Sequence, residues 1–147
     1  MTTILTDEHE LVGRWMARND GGFWRAGAKC LGLIRDGALV AGVMFDWYNG
    51  TSIYVSIVVR GLVTREFLWA ICDYPFRQLG CKVVIATVAE GNRASRQFVE
   101  HFGFEYAGAI PDGDPSGDLL IYTIRPNQCK WLKTRSRHGE TITTSRS

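Results

Sequence analysis

The spacing of apolar residues changes several times along this chain, and each change predicts an element of secondary structure. Near the N-terminus, apolar residues recur at helical spacing, and Thr6 or Asp7 can cap a helix there. The residues that carry this spacing are Leu11, Val12, Trp15 and Met16. The run Asn19-Asp20-Gly21-Gly22 is expected to end this first helix.

Three apolar runs follow, at residues 30–35, 38–47 and 51–59. Asp36-Gly37 separates the first two runs, and Asn49-Gly50 separates the last two. Both dipeptides suit the positive φ angles of a two-residue type I′ turn. The pattern therefore predicts a meander of three antiparallel strands.

Residues 64–79 return to helical spacing, with Pro75 inside the pattern and Gly80 just after it. Proline removes a backbone donor, so the regular helix is expected to kink or end near it. Residues 82–88 are almost continuously apolar, which is typical of a strand buried on both faces. Because a helix connects this strand to the run 51–59, the two strands can lie parallel.

The last third of the chain predicts one helix and two strands. Residues 92–102 have helical spacing, and Gly103 suits the left-handed position that follows a helix. Residues 105–110 and 119–125 are the predicted strands, and the acidic loop between them is expected to be mobile.

This order of elements, together with one motif, resembles a known superfamily. Asn92, Ser95, Gly103 and Phe104 match the pattern N-x-x-S-x-x-x-x-x-x-x-G-F. The chain resembles the Gcn5-related N-acetyltransferases (GNAT), and within them the RimJ/RimL branch; it is also similar to short GNAT-like proteins of tailed bacteriophages. The resemblance implies an α/β (α+β) fold with a mixed, mostly antiparallel sheet and helices on both faces. We expect a single domain over residues 1–127 and a basic, flexible tail over residues 128–147.

The resemblance also implies where a cofactor would bind. In this superfamily acetyl-CoA lies between two diverging strands, with its pyrophosphate on the amides that begin the next helix. The strand-edge positions that match here are Ile57, Val58 and Val59. The loop positions that match are Arg60, Gly61, Leu62, Val63, Thr64 and Arg65. Asn92 and Ser95 are the matching positions beside the thioester.

Three departures from the superfamily's pattern weaken the prediction of catalysis. The cofactor loop keeps one glycine, and Arg60 and Arg65 could compensate by binding phosphate directly; the alternative is a turn with two solvated arginines. Thr87 stands where many members have a glutamate, and Val99 where many have a tyrosine acid. Ser95 is then the candidate acid, as proposed for the RimJ/RimL branch, although serine also suits the first turn of a helix for structural reasons.

No single residue is a clear candidate for the general base. Glu90 follows the strand 82–88, and Asp46 ends a neighbouring run, so either could receive a proton through water. Both positions are equally typical of solvated carboxylates at strand ends.

Composition excludes several classes of protein. The chain has 147 residues and 46% hydrophobic content, typical of a globular domain. No apolar run approaches the length of a membrane span, and the N-terminus lacks a signal-peptide pattern, so we expect a cytoplasmic protein without membrane contact. The four cysteines show no metal-binding spacing and are expected to be reduced structural thiols, with no metal site.

The net charge of +2 is unevenly distributed. Residues 130–147 carry +4, which leaves −2 on the rest of the chain. Such a tail could contact nucleic acid, although a solvated terminus is the simpler interpretation.

The sequence thus favours a monomeric or homodimeric enzyme that transfers an acetyl group from acetyl-CoA to a primary amine. The acceptor could be a protein N-terminus, a lysine or a small amine. The alternative is a GNAT fold that has lost catalysis and binds a protein or a nucleic acid.

Overall fold

The computed structural model describes residues 1–20 and 24–132, and the backbone of residues 144–145. The strands are β1 (Thr2–Leu5), β2 (Lys29–Arg35), β3 (Ala38–Asp46), β4 (Ser52–Val59), β5 (Val83–Ala89), β6 (Glu105–Asp114), β7 (Gly117–Ile124) and β8 (Thr144–Ser145). The α-helices are α1 (His9–Asp20), α2 (Arg65–Cys72) and α3 (Arg93–Phe102). A π-helical segment (Asp73–Gln78) continues α2, and a 3-10 turn (Pro126–Gln128) follows β7.

The described strands form one sheet in the order β6-β7-β5-β4-β3-β2-β1-β8. Two neighbouring pairs, β4 with β5 and β1 with β8, are parallel, and the other pairs are antiparallel. One face of the sheet packs on α1, through Val12 and Met16. The other face packs on α2 and α3, through Phe67, Val99 and their neighbours. The predicted fold class, a mixed sheet with helices on both faces, is confirmed.

Two glycines allow α1 to lie close to the sheet. Gly32 of β2 pairs directly with Gly42 of β3. A Cβ atom at Gly32 would lie 2.7 Å from Val12 Cγ2, and one at Gly42 would lie 2.7 Å from Met16 Cγ. Any larger side chain at these positions would push the helix away from the core that it covers.

The predicted meander is confirmed, but one of its turns differs from the prediction. Asp36 and Gly37 have φ angles of 51° and 88°, as a type I′ turn requires. In the second connection the positive φ angles fall at Trp47 and Gly50, not at Asn49. Asn49 instead uses its side chain: Oδ1 accepts from the amides of Thr51 and Ser52. The prediction of a two-residue turn there was wrong because the asparagine stabilises a longer loop.

The helix predicted over residues 64–79 ends its regular part before Pro75. Thr64 caps α2, since its Oγ1 accepts from the amide of Phe67 at 3.1 Å. The α-helix ends at Cys72, and the chain then winds as the π-helical segment that contains Pro75. The parallel pairing of β4 with β5 is also confirmed.

The N-terminal residues form a strand that the apolar pattern did not predict. Thr2–Leu5 pairs with β2, and α1 begins at His9, later than a cap at Thr6 or Asp7 would place it. The first helical hydrogen bond there runs from the amide of Val12 to the carbonyl of Glu8. Four residues are too few to show a clear alternation, so the partner strand decides this element.

The acidic loop predicted to be mobile instead extends the hairpin of the last two strands. β6 continues to Asp114 and β7 begins at Gly117, and these two residues pair with each other. Asp114 Oδ2 accepts from both the amide and the hydroxyl of Ser116, which closes the turn. These two hydrogen bonds lower the pKa of Asp114.

The cysteine prediction was wrong for two of the four residues. Cys72, at the end of α2, forms a disulfide with Cys129, which lies 57 residues later. Cys30 and Cys81 are free and buried. Burial, with a smaller contribution from Asp46, raises the pKa of Cys30 to about 12, so this thiol stays protonated and unreactive at neutral pH.

The ordered body extends past residue 127, where the tail was predicted to begin. Cys129 is buried, and Trp131 packs on Phe102 with its Nε1 donating to the carbonyl of Phe102 at 2.9 Å. Thr144 and Ser145 pair in parallel with Ile4 and Leu5 of β1, so this part of the predicted flexible tail forms a strand. For residues 133–143 and 146–147, the prediction of a flexible tail lies outside the described residues.

Candidate active site

A cleft opens in the middle of the sheet because β4 and β5 stop pairing halfway along their length. They pair from Ser52 with Val83 as far as Val55 with Ala86. Beyond that point β4 stays paired with β3, and β5 stays paired with β7. The edges of β4 and β5 that face each other therefore present backbone groups that an extended ligand could bind.

The cleft has a volume of about 410 Å³, within the range of small-molecule sites. Its walls come from the diverging halves of β4 and β5, the first two turns of α3, and the end of α1. The lining residues are Asp20, Val55, Ser56, Ile57, Val58, Val59, Arg60, Ala86, Thr87, Val88, Ala89, Asn92, Ala94, Ser95, Phe98 and Val99. The lining combines apolar side chains with polar ones, which suits a ligand that has a flexible, partly polar arm.

The start of α3 lies at this cleft, and local sequence explains why the helix begins there. Asn92 is the N-cap, and its Oδ1 accepts from the amide of Ser95 at 3.1 Å. At the other end, Gly103 has a φ of 127°, and the amides of Gly103 and Phe104 both donate to the carbonyl of Val99. Asn92 and Ser95 both line the cleft, where the positive end of the helix dipole favours negative charge.

The predicted strand-edge residues also lie at the cleft. Ile57, Val58 and Val59 are in the half of β4 that is not paired with β5, and they line the wall of the cleft. Val58 packs toward α1, whereas Ile57 and Val59 pack toward the opposite face of the sheet. These side chains hold the strand in place, and the backbone edge remains available to a ligand.

The predicted cofactor loop is only partly at the cleft. Arg60 lines the cleft, and its guanidinium donates to the carbonyls of Val59 and of Asn19 in the last turn of α1. A cation at this position suits the negative end of the α1 dipole. The remaining predicted loop residues, Gly61, Leu62, Val63, Thr64 and Arg65, are not among the residues that line the cleft.

The rest of the loop is held by neighbouring strands and by the cap of α2. Arg35 Nη1 donates to the carbonyl of Leu62 at 2.6 Å, and Gly61 lies close to Val40. Thr64 caps α2, and the exposed Arg65 is the first residue of this helix. A ligand would meet this loop outside the mouth of the cleft, next to the first amides of α2.

Glu90, the other predicted catalytic residue, does not line the cleft. It is exposed and lies in the turn between β5 and α3, where its amide donates to the carbonyl of Asp118. Its Oε1 lies beside Gly117, 3.6 Å from where a Cβ atom would be. The carboxylate thus lies on the β7 side of the turn, and Asp20 is a carboxylate that does line the cleft. Asp46, the alternative base, forms an ion pair with Arg25.

Three polar residues of the cleft, Asp20, Ser56 and Thr87, were not predicted as site residues from the sequence. Ser56 and Thr87 lie on the two strands that diverge, and both are exposed. A hydroxyl inside an otherwise apolar strand was the available signal, but it could not show that the two strands separate. Thr87 and Val99, the positions where the resemblance leads one to expect a glutamate and a tyrosine, both line the cleft.

Neither a metal-binding cluster nor a membrane-spanning helix occurs among the described residues. Within residues 1–20, 24–132 and 144–145, no group of three His, Cys, Asp or Glu residues could hold a metal ion. Over the same residues, every helix is too short or too polar to cross a lipid bilayer.

The similarity of this chain to known proteins is found in solved structures. No protein-family model matches the sequence, and no curated protein matches it. The putative acetyltransferase yncA of Salmonella typhimurium, solved with its cofactor acetyl-CoA, is similar at 17% identity and a TM-score of 0.65, over 84% of this chain and 93% of that one. A chimera of the spermidine N-acetyltransferase SpeG from Vibrio cholerae and hSSAT is similar at 15% identity and a TM-score of 0.68, over 89% and 98% of the two chains.

A third similar structure is the acetyltransferase (GNAT family) from Bacillus anthracis. It is 19% identical, with a TM-score of 0.63 over 84% of this chain and 94% of that one. The TM-scores establish a shared fold. Sequence identities this low leave the activity open. The fold of this chain is that of the GNAT acetyltransferases.

Proposed function

We propose that this protein transfers an acetyl group from acetyl-CoA to a primary amine. The observation that carries the proposal is the parallel pair β4–β5, which separates after Val55 and Ala86 to form a cleft that meets the start of α3. A strand edge, a wall of apolar and polar side chains and a helix N-terminus then converge on one volume. This combination suits the pantetheine arm of coenzyme A, which is extended and carries amides along its length.

The residues that would hold the cofactor follow from this geometry. The backbone of Ile57, Val58 and Val59 would bind the pantetheine amides along the open edge of β4. The pyrophosphate would lie outside the mouth, near the first amides of α2, with Arg60 and Arg65 as its cations. The Arg60 guanidinium donates to the carbonyls of Val59 and Asn19, and its remaining N–H donors could take part.

The proposed chemistry is direct aminolysis of the thioester. The neutral amine forms a C–N bond with the acetyl carbon as the C–S bond breaks, the amine loses one proton, and coenzyme A leaves as a thiolate. The Ser95 hydroxyl would donate to the leaving sulfur, directly or through a water. A thiol with a pKa of about 8.5 is a good leaving group, so a weak donor is sufficient.

The proton from the amine needs a route out of the cleft. Glu90 could act as the predicted base only through water, because its side chain lies on the β7 side of the turn. The hydroxyls of Ser56 and Thr87 and the carboxylate of Asp20 offer a path along the cleft wall. We therefore propose solvent-assisted deprotonation, with Glu90 at the end of the route.

The acceptor is proposed from the resemblance. The motif of Asn92, Ser95, Gly103 and Phe104 supports a RimJ/RimL-type enzyme, for which a protein N-terminus is the expected acceptor. The similarity to short phage proteins adds no acceptor of its own. A lysine or a small amine remains in the proposal, and one similar fold belongs to a spermidine N-acetyltransferase chimera. We propose a cytoplasmic monomer or homodimer whose basic tail could contact nucleic acid.

A binding module without catalysis is the second candidate, and a specific observation favours it. Thr87 and Val99 lie in the cleft at the positions where many GNAT enzymes have a glutamate and a tyrosine. The guanidinium of Arg60 is also already bound by the carbonyl of Asn19. A chain with these features could retain the fold and bind a protein or nucleic acid.

Two measurements separate the candidates. Acetyl-CoA at a hundred times its Kd should stabilise the protein by about 2.7 kcal/mol, which raises Tm measurably. Mass spectrometry should then detect acetylation of an N-terminal peptide, a lysine peptide or spermidine. Binding without transfer to any of these acceptors would favour the binding module, and no rise in Tm at millimolar acetyl-CoA would contradict the proposed function.

A further inference from the structure

The helix α3 presents two different faces to the rest of the molecule. Asn92, Ser95 and Val99 line the cleft. Arg96 and Glu100, one residue further round on successive turns, lie toward Tyr122 of β7. The contacts of this second face decide how the first face is oriented.

Tyr122 anchors the second face in the core. Its side chain is 1% exposed, and its hydroxyl donates to Glu100 Oε2 at 2.7 Å. Burial is the main cause that raises the pKa of Tyr122; the hydrogen bond to Glu100 adds to it, and the guanidinium of Arg96 opposes it. The hydrogen bond between Tyr122 and Glu100 therefore fixes α3 against β7.

Arg96 also holds the turn that leads into α3. Its Nη1 donates to the carbonyl of Glu90 at 3.1 Å, where the chain leaves β5. The same turn is closed by a hydrogen bond from the amide of Asn92 to the carbonyl of Ala89. The Arg96 guanidinium thus connects α3 with the turn that carries its own cap.

The contacts of Arg96 fix the position of neighbouring groups more than they stabilise the fold. Its Nε is buried and has no hydrogen-bond partner among the described residues. A buried donor without a partner costs free energy, which offsets part of what the other hydrogen bonds contribute. What the side chain adds is a fixed connection between α3 and the turn that follows β5, because the guanidinium is planar and rigid.

We propose that Arg96 is a positioning residue for the cleft. Its hydrogen bond to the Glu90 carbonyl fixes the start of α3 on the turn that follows β5, so that Asn92 and Ser95 face the diverging strands. Its effect on catalysis rests on the proposed function, because a misplaced Ser95 hydroxyl matters only if a thioester lies in the cleft. Its effect on the start of α3 does not depend on any ligand.

The first test uses the protein without cofactor. Arg96→Met keeps the length of the side chain and removes its donors, and Arg93→Met is the matched control on the exposed side of the same helix. Hydrogen exchange of the Ser95 amide, which is bonded to Asn92 Oδ1, should become at least about tenfold faster in Arg96→Met. The Val88 amide and the control variant should stay close to the wild type.

The second test measures catalysis. Arg96→Met should lower kcat by about tenfold and change KM for acetyl-CoA by less than about threefold, because Ser95 is misplaced while the strand edge is intact. Arg96→Lys, which can still donate to the Glu90 carbonyl, should recover part of kcat. Tyr122→Phe removes the hydroxyl but keeps the ring in the core, and should change kcat in the same direction.

The outcomes separate this proposal from the proposed function. Unchanged exchange of Ser95 in Arg96→Met would overturn the positioning role, whatever the activity. A fall in kcat equal to that of Arg93→Met would also overturn it. If the wild type binds no acetyl-CoA, the proposed function fails, and the exchange experiment still decides whether Arg96 sets α3.

Discussion

The helices α2 and α3 are held very differently at their two ends. At the C-terminal ends, a disulfide joins Cys72 of α2 to Cys129, and Trp131 packs on Phe102 of α3 and bonds its carbonyl. At the N-terminal ends, Thr64 and Asn92 each accept one amide hydrogen bond. One end is held by a covalent bond and buried aromatic rings, and the other by two polar caps.

This difference separates stability from function within the same two helices. The C-terminal segment fastens both helices away from the cleft, so these contacts add to stability. At the N-terminal ends, light capping leaves other first-turn amides available for a negatively charged ligand. Because the C-terminal ends of the two helices are fixed, their N-terminal ends can stay in place without other residues covering them.

The largest expected effect comes from breaking the fastened end. Cys129→Ser should lower the free energy of unfolding of the oxidised protein by about 4 kcal/mol, because the crosslink closes a loop of 57 residues in the unfolded chain. Urea denaturation measures this change. Acetyl-CoA affinity should remain within about threefold of the wild type at temperatures where the variant is folded.

The wild type under reducing conditions is the matched control for this variant. Reduction should destabilise the wild type by a similar amount and leave Cys129→Ser unchanged. If reductant affects the stability of neither protein, the disulfide does not form in solution. The C-terminal ends of the two helices would then be held by packing and hydrogen bonds alone.

The next largest effect is expected on catalysis, at the N-terminal end of α3. Ser95→Ala should slow acetyl transfer by about 10- to 100-fold, which is about 1.4 to 2.7 kcal/mol in the activation barrier. The loss is moderate because a thiolate leaves without much assistance. Steady-state kinetics should show the fall in kcat with the affinity for acetyl-CoA nearly unchanged. Ser116→Ala, in the exposed turn between β6 and β7, should behave like the wild type.

A smaller effect on stability is expected from the cap of α3. Asn92→Ala removes the acceptor for the Ser95 amide and should cost about 1 kcal/mol in the free energy of unfolding. Asn92→Asp keeps an acceptor and should be close to the wild type. An equal loss in both variants, measured by urea denaturation, would show that Asn92 matters for something other than its cap.

The smallest effect is expected from Arg65, which is exposed at the start of α2. Arg65→Ala should weaken acetyl-CoA binding by a few-fold, and the difference from the wild type should shrink as salt is raised, since phosphate pairing at the surface is screened. Calorimetric titration at two salt concentrations measures it. A loss of affinity that is the same at both concentrations would argue against phosphate pairing.

Local signals determined those parts of the fold that depend on nearby residues. Asp36-Gly37 predicted its turn, and Asn92 with Gly103 predicted both ends of α3, because positive φ angles and helix caps are properties of a few consecutive residues. The resemblance carried by the same helix indicated the fold class. These predictions needed no knowledge of what the elements pack against.

Elements that depend on a distant partner were missed or misjudged. β1 exists because Thr2–Leu5 pairs with β2, and the acidic loop is a hairpin because β7 continues opposite it. Short polar or weakly patterned segments become strands when a neighbouring strand satisfies their backbone. Only the assembled sheet supplies that neighbour.

The candidate site divides in the same way. The sequence and its resemblance identified the strands and the helix start that line the cleft, including Ile57, Asn92 and Ser95. The tertiary structure alone decided that Glu90 lies on the β7 side of its turn, that Arg60 is bound by the end of α1, and that Cys72 meets Cys129. Each of these depends on contacts between residues that are far apart in the chain or on how two strands diverge, and neither leaves a local pattern in the sequence.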